Sequence, residues 1–223
     1  MNFTRPFELT DEQHDFIEGM KLIAGAGEPT MRAGLGVFMY TATVSMTNKS
    51  FYSSDGDFLI GQILLFSISK SLLNPYISCV VPEQGTLDIQ TEFGKLEVKP
   101  GEITVIQRGI QFSVNVSGPS RGYALEIYTG HFEIPSLGPI GANGLANPRD
   151  FQAPVAYFDD IKVEWTVVNK FLGKLFKASM DHSPFNVVAW HGNYAPYKYD
   201  LSLFNTMNTV SFDHAVNILN FFF

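Results

Sequence analysis

The sequence predicts a mainly β fold, an antiparallel meander that closes on itself as a jelly-roll or small barrel behind a short N-terminal helix. Three observations carry this expectation. Twenty phenylalanines and nine tyrosines fall in many short segments broken by Gly and Pro, a pattern that suits pleated, half-buried strands better than long helices. Between Leu87 and Ile127 apolar side chains recur at the strand period: Leu87, Ile89, Thr91 and Phe93, then Leu96 and Val98, Ile103 and Val105, Ile110, Phe112, Val114 and Val116, and finally Tyr123, Leu125 and Ile127. Turn-forming clusters at Phe93-Gly94-Lys95, Lys99-Pro100-Gly101-Glu102, Gln107-Arg108-Gly109 and Gly118-Pro119-Ser120 separate these runs.

In chain order, Leu9-Thr10-Asp11-Glu12-Gln13 begins the one good helix candidate, with Thr10 or Asp11 as N-cap and Phe16, Ile17, Met20 and Ile23 as its apolar stripe. The Gly25-Ala26-Gly27 cluster stops it, and His14 lies on the polar side as a solvated residue. From Gly34 to Met46 the side chains of Phe38, Tyr40, Ala42, Val44 and Met46 share one face of a strand that turns at Asn48-Lys49. Residues Gly61 to Val80 interrupt the alternation. As a membrane helix this segment is broken by Lys70 and by Asn74-Pro75 and falls short of a clean span, so no membrane role is expected. Removing it joins Ile60 to Val81-Pro82-Glu83-Gln84-Gly85 and completes a strand and glycine turn. Leu137 to Phe151 holds three glycines, two prolines and two asparagines among large apolar residues, which makes it an ordered connection. Ala153 to Phe158 and Trp165 to Lys170 read as strands around a solvated Asp159-Asp160 turn, and Lys174 to Lys177 follows. Ser183 to Tyr199, dense in aromatics, amides and prolines, reads as a pocket wall or subunit interface.

At 223 residues the chain can form one large β domain or two smaller ones. Its net charge of −7 offers no basic footprint for nucleic acid or anionic membrane, so a small molecule or a protein is the expected partner. The single cysteine, Cys79, permits no intrachain disulfide and has no neighbour for a zinc motif, and Met1 to Glu8 lacks the apolar core of a secretion signal. A cytoplasmic location follows by default. His131 and Glu133 would share a strand face, most simply a solvated one. His182 reads as a loop residue and His191 as a hydrogen-bonded pocket residue.

The hairpin spacing resembles the cupin barrel. Its second motif runs Gly-Asp, four residues, Pro-x-Gly, two residues, His; here Gly101-Glu102, Gln107-x-Gly109 and Phe112 occupy those places. The metal-binding positions of its first motif hold Phe51, Ser53 and Asp57. A phenyl ring has no lone pair for a metal, so a cupin-like barrel in this register is expected to be metal-free.

Several longer stretches together closely resemble the homogentisate 1,2-dioxygenase family: Phe51 to Ile60, Thr91 to Lys95, Val105 to Gly109, Leu137 to Phe151, Ser183 to Tyr199 and Ser211-Phe212-Asp213-His214. The resemblance runs from about Arg5 to about Ala215, leaving out Gly61 to Val80. It implies ring opening of homogentisate by O2 to maleylacetoacetate, in tyrosine and phenylalanine breakdown. It also implies a homo-oligomer and a non-haem Fe(II) held by two histidines and a carboxylate in the complete enzyme. His214 matches the family's active-site histidine, a base and hydrogen-bond partner for the substrate hydroxyl. The family's iron ligands lie downstream of that position, so this chain alone is expected to hold no iron and to be an inactive fragment. The alternative is a non-catalytic cupin-like binding or interaction module.

The implied organisation is a metal-free cupin-like β domain over 1–136 containing the atypical 61–80 segment, then a connecting loop and further β segments over 137–215 leading to the iron domain. Residues 216–223 form a tail that leaves the family pattern. Both departures fit retained introns.

Overall fold

The computed structural model describes residues 13–62, 65–70, 78–83, 85–134, 146–189, 192 and 194–204. Fourteen strands are found among them: β1 (Lys21–Glu28), β2 (Ala33–Ala42), β3 (Lys49–Ser53), β4 (Asp57–Gln62), β5 (Leu65–Lys70), β6 (Ser78–Glu83), β7 (Leu87–Thr91), β8 (Gly94–Val98), β9 (Glu102–Ile106), β10 (Phe112–Val116), β11 (Ser120–Ile127), β12 (Trp165–Phe171), β13 (Lys174–Met180) and β14 (Tyr197–Asp200). Twelve of them build two six-stranded sheets, one in the order β1-β2-β11-β4-β9-β14 and the other in the order β13-β12-β3-β10-β7-β8. Pairing is antiparallel except where β12 runs parallel to β3.

The mainly β expectation holds, but the path is not a meander and the sheets do not close into a barrel. The strand pairs β1/β2, β7/β8 and β12/β13 are hairpins within one sheet, whereas β3 to β4 and each step from β8 through β11 cross to the opposite sheet. The turn residues that separate the runs therefore act as corners between layers. Alternation fixes which side chains share a face, and leaves open which strand lies alongside.

A single hydrophobic core draws on both layers. Phe38, Tyr40, Phe58, Ile60, Ile106 and Ala124 come from one sheet, and Phe51, Leu87, Ile89, Leu96, Val98, Phe112, Val114 and Val168 from the other. At its centre Phe51 meets Phe58 and Phe112 edge-on, with ring centroids 5.8 and 5.5 Å apart, and Phe16 lies 6.1 Å from Phe112 and 4.8 Å from Tyr40. Such tilted and edge-to-face contacts suit the aromatic quadrupole and add to the area buried.

The expected N-terminal helix is corrected where it is described; Leu9 to Glu12 lie outside the described residues. From Gln13 onward the chain makes one turn at Phe16–Gly19 and then enters β1. Asp15 Oδ1 accepts from the peptide N–H groups of Ile17 and Glu18, each at 3.0 Å, and Lys49 pairs with both Asp15 and Glu18. That satisfies the turn locally while Phe16 and Ile17 enter the core together. A Cβ on Gly19 would collide with the Thr41 carbonyl at 1.7 Å, so the close approach of the backbones requires glycine there. The Gly25-Ala26-Gly27 cluster, read as a helix stop, lies inside β1, where Gly25 pairs with Gly36 and Gly27 with Gly34.

The unusual segment begins later than the sequence suggests. Gly61 and Gln62 continue β4 in register with β11, opposite Tyr123 and Gly122. Strands β5 and β6 then pair with each other, Leu65 opposite Glu83 through Lys70 opposite Ser78, as a separate two-stranded sheet. Gln62 Nε2 donates to the Gly85 carbonyl, so the chain leaves and rejoins the main sheets at neighbouring points. Among the described residues no helix is long and apolar enough to cross a membrane.

Downstream, β12 matches the strand expected at Trp165 to Lys170 and pairs with β13, but Ala153 to Phe158 do not form a strand. An isolated bridge joins Val155 to Lys95, and another joins the preceding Gln152 to Lys198. Asp159 is anchored rather than solvated: its N–H donates to the Phe185 carbonyl at 2.7 Å and its carboxylate accepts from Gln90 Nε2 at 2.8 Å.

Candidate functional site

Two polar constellations stand out, and both begin in the short Ser53–Asp57 turn between β3 and β4. The first is fully internal. Asp55, Glu126 at the end of β11 and Lys170 in β12 form an ion cluster, with Lys170 Nζ 2.7 Å from Asp55 Oδ2 and 2.8 Å from Glu126 Oε2. Ser53 Oγ donates to Glu126 Oε1 at 2.6 Å. Asp55 also accepts from the N–H groups of Leu172 and Gly173, at 2.6 and 2.9 Å, fixing the β12–β13 turn, where Leu172 has a φ of 50°. Burial pushes the Glu126 carboxyl up, and Lys170 and Ser53 offset this only in part. Burial acts to lower the Lys170 ammonium, but the two carboxylates outweigh it and hold the group above its ordinary value. The cluster ties β11 of one layer to β12 and the β3–β4 turn, so it is a structural centre.

The second constellation opens to solvent. Asp57, the first residue of β4, is completely buried and accepts from Arg108 N at 2.8 Å, from Phe132 N at 3.1 Å and from His131 Nδ1 at 3.1 Å. Because a carboxylate that accepts two peptide N–H bonds is itself an acceptor, the imidazole proton sits on Nδ1 and the ring is fixed in one orientation. His131 is about half exposed, at 49% of its side chain, and its ring stands edge-on to Tyr194 with centroids 5.0 Å apart. Tyr194 in turn donates to the Arg108 carbonyl at 3.0 Å.

These groups border a cleft of about 530 Å³. One wall is the stretch after β11, from His131 to Ile134; the other is Pro148 to Ala153, with Gly192 and Tyr194 to Tyr197 between them. The Pro148–Asp150 turn on the second wall is a 3-10 turn capped by Asn147, whose side chain accepts from Arg149 N at 3.0 Å. It places Phe151 against Tyr197 and Tyr199, at 5.6 and 4.6 Å between ring centroids. Burial, aided by the negative charge of Asp57, pushes the Tyr197 phenol up to about 12 and also raises that of Tyr194. At the floor Gln107 Nε2 donates to the Ala195 carbonyl.

The sequence-based readings fare unevenly here. His214 and His191 lie outside the described residues, as do positions 135–145 of the long connecting loop. His182 is an exposed loop residue with Nδ1 2.7 Å from Asp181, as read. His14 is anchored through its backbone to Thr43 rather than standing on a helix face. His131 and Glu133 do border the same cleft, but on an irregular stretch and not on a strand. The Asp57–His131 pair was missed because its members are 74 residues apart. The one available signal was that Asp57 occupies a motif position at which an acid is normally a metal ligand.

A cupin-type iron does not fit the residues present at those positions. Phe51 and Phe112 are buried against each other, Ser53 is bonded to Glu126, and Asp57 is bonded to two peptide N–H groups and His131. Among the described residues no group of three His, Cys, Asp or Glu side chains is placed to hold a metal ion.

Comparison with known proteins gives a consistent picture. The family model described as "Homogentisate 1,2-dioxygenase N-terminal" matches residues 3–72 and 74–201. A protein of Dictyostelium discoideum named homogentisate 1,2-dioxygenase is 61% identical over 212 residues, 94% of this chain and 44% of that relative. Proteins of the same name from Drosophila melanogaster and Homo sapiens are 52% and 50% identical, over 95% of this chain and 44% of each relative. The chain thus spans less than half the length of the curated relatives it matches. With most of its length matched by the family model, the chain belongs to the homogentisate 1,2-dioxygenase N-terminal family.

Proposed function

We propose that this chain is the N-terminal, largely β part of a homogentisate 1,2-dioxygenase. The complete enzyme opens the ring of homogentisate with O2 to give maleylacetoacetate, acts in the cytoplasm and assembles into homo-oligomers. The observation that carries this reading is identity of 50–61% over nearly the whole chain with proteins of that name. On this reading the two-layer sandwich is a cupin-like jelly-roll whose strands up to residue 136 are completed by β12, β13 and β14 from the 137–215 region, and that region leads on toward the part of the enzyme that binds Fe(II). His214 serves there as base and hydrogen-bond partner for a substrate hydroxyl. Within the sandwich the motif positions hold phenyl rings and committed polar groups, so the iron is assigned to the rest of the enzyme and no step of the reaction to the described residues.

It follows that this chain alone does not turn over homogentisate. Oxygen uptake by the purified chain with Fe(II) and homogentisate tests this; turnover comparable to that of a full-length enzyme refutes it. A second reading, a non-catalytic module that pairs with intact subunits, is favoured by the exposed apolar side chains of Val187, Val188 and Tyr194 within the aromatic stretch. Co-purification with the complete enzyme supports that reading, and a chain recovered only alone counts against it. The 61–80 segment and the 216–223 tail are proposed to be retained introns, and a spliced transcript that still encodes both sinks that idea.

A further inference from the structure

We propose that the cleft beside the Asp57–His131 pair binds a small aromatic compound that donates hydrogen bonds and carries no negative charge, a phenol bearing a neutral or cationic substituent. The walls supply the aromatic part of the recognition. Phe132 lies on one wall and Phe151 on the other, with Tyr194 and Tyr197 between them, and a volume of about 530 Å³ admits a single ring with a short substituent.

The polar groups supply the sign. With Nδ1–H committed to Asp57, the other ring nitrogen of His131 is Nε2, an acceptor whenever the ring carries one proton. Glu133, on the same wall, is an acceptor when ionised. Gln107 uses Nε2 on the Ala195 carbonyl, a group that can only accept, which fixes its amide orientation and leaves the buried Oε1 without a donor just beneath the floor. His131 and Glu133 therefore border one aromatic space as acceptors, with the Gln107 amide at its edge, and no lysine or arginine lines it among the described residues. Exposed acceptors beside aromatic walls favour a ligand that brings a hydroxyl or ammonium donor. A carboxylate ligand would instead meet Glu133 and the field of buried Asp57, which the Arg108 guanidinium opposes more weakly at Tyr194, and be repelled. Phenyl and tyrosyl faces also attract a cation.

This site goes beyond the ring-cleavage reading. It uses no iron and disfavours an arylacetate anion, so a failed oxygen-uptake test leaves it standing and its own failure leaves ring cleavage untouched.

Tyramine and 4-hydroxyphenylacetate share a phenol and differ in the charge of the side chain, which makes them the decisive probes. Saturation-transfer NMR and calorimetric titration of the 223-residue chain are expected to show tyramine binding with a Kd of roughly 0.1–5 mM, as suits a ligand of this size. The anion should bind at least about tenfold more weakly. Ala153→Trp, which fills the cleft from an exposed wall position, should abolish tyramine binding while leaving the circular dichroism spectrum unchanged. Glu133→Gln should narrow the gap between the two probes. Absence of tyramine binding at about 10 mM, equal binding of the two probes, or tyramine binding that survives Ala153→Trp overturns the proposal.

Discussion

Lys170 pairs with two carboxylates inside the sandwich, and Lys170→Met is the substitution that tests how the layers are held. Its side chain is 7% exposed, those of Asp55 and Glu126 are 2% and 0% exposed, and the three meet at 2.7 and 2.8 Å. Methionine keeps the length and apolar stem but strands two buried acids. Breaking a buried pair in this way costs about 3–5 kcal/mol, a large share of the roughly 5–15 kcal/mol that stabilises an ordinary domain. For a chain of this size each kcal/mol moves Tm by about 2–4 °C, so a drop of roughly 6–20 °C is expected in a thermal melt.

The pH dependence follows from the directions of the shifts. The Glu126 carboxyl is raised by burial, so the folded protein keeps its proton to higher pH than the unfolded chain. It withdraws stability as pH rises from about 4.3 through its folded value. The Lys170 contribution is complete below about 10.4 and is lost as pH climbs through its own raised folded value. Without Lys170, Glu126 rises further, and the gap between wild type and variant should narrow toward pH 4. Adding Glu126→Gln should recover about 1–2 kcal/mol at neutral pH. A Lys170→Met cost below about 1 kcal/mol, or a double variant no more stable than the single one, would show that the cluster does not bear on stability as argued.

Two further outcomes are expected. Asp57→Ala removes the acceptor for the N–H groups of Arg108 and Phe132 and frees His131. It should cost about 2–5 kcal/mol in urea unfolding and weaken tyramine binding at the cleft, whereas Asp57→Asn should restore part of the stability. Replacing 63–84 with a two-residue Gly-Ser bridge between Gln62 and Gly85 should leave the unfolding free energy within about 1 kcal/mol of the parent, because those ends already touch; a chain that no longer unfolds cooperatively would show the segment to be integral.

Much of the strand content was legible and most of its wiring was not. The alternation from Leu87 to Ile127 located β7 through β11 because each strand buries one face, and a period of two is visible in any such segment. Which layer each strand joins depends on how the corners at Gly101 and Gly109 aim the chain, both glycines with positive φ, and nothing in the alternation encodes that direction. Phe16, Ile17 and Met20 mimicked a helical stripe because a single tight turn also brings residues three and four apart together. The capping by Asp15 and Lys49 that ends it depends on a partner 34 residues away. The cleft was half visible. The aromatic stretch from Ser183 to Tyr199 reads as a pocket wall or a subunit interface, and Tyr194 to Tyr197 do line the cleft. The acid that orients His131 could not be found, since Asp57, Arg108 and Phe132 converge only through tertiary structure.

The aromatic centre also explains why this sandwich is better suited to scaffolding than to metal chemistry. Phe51, Phe58, Phe112 and Phe16 form a continuous chain of ring contacts between 5.5 and 6.1 Å across both layers. Returning histidine to positions 51 and 112 would place two imidazoles in a space whose neighbours are all apolar rings, and each would lose its hydrogen bonds on burial. The third motif residue, Asp57, could not join them without abandoning the peptide N–H groups of Arg108 and Phe132. Restoring a metal site here thus opposes both the core and the turn that the same residues hold, and a chemically active iron belongs where neither constraint applies.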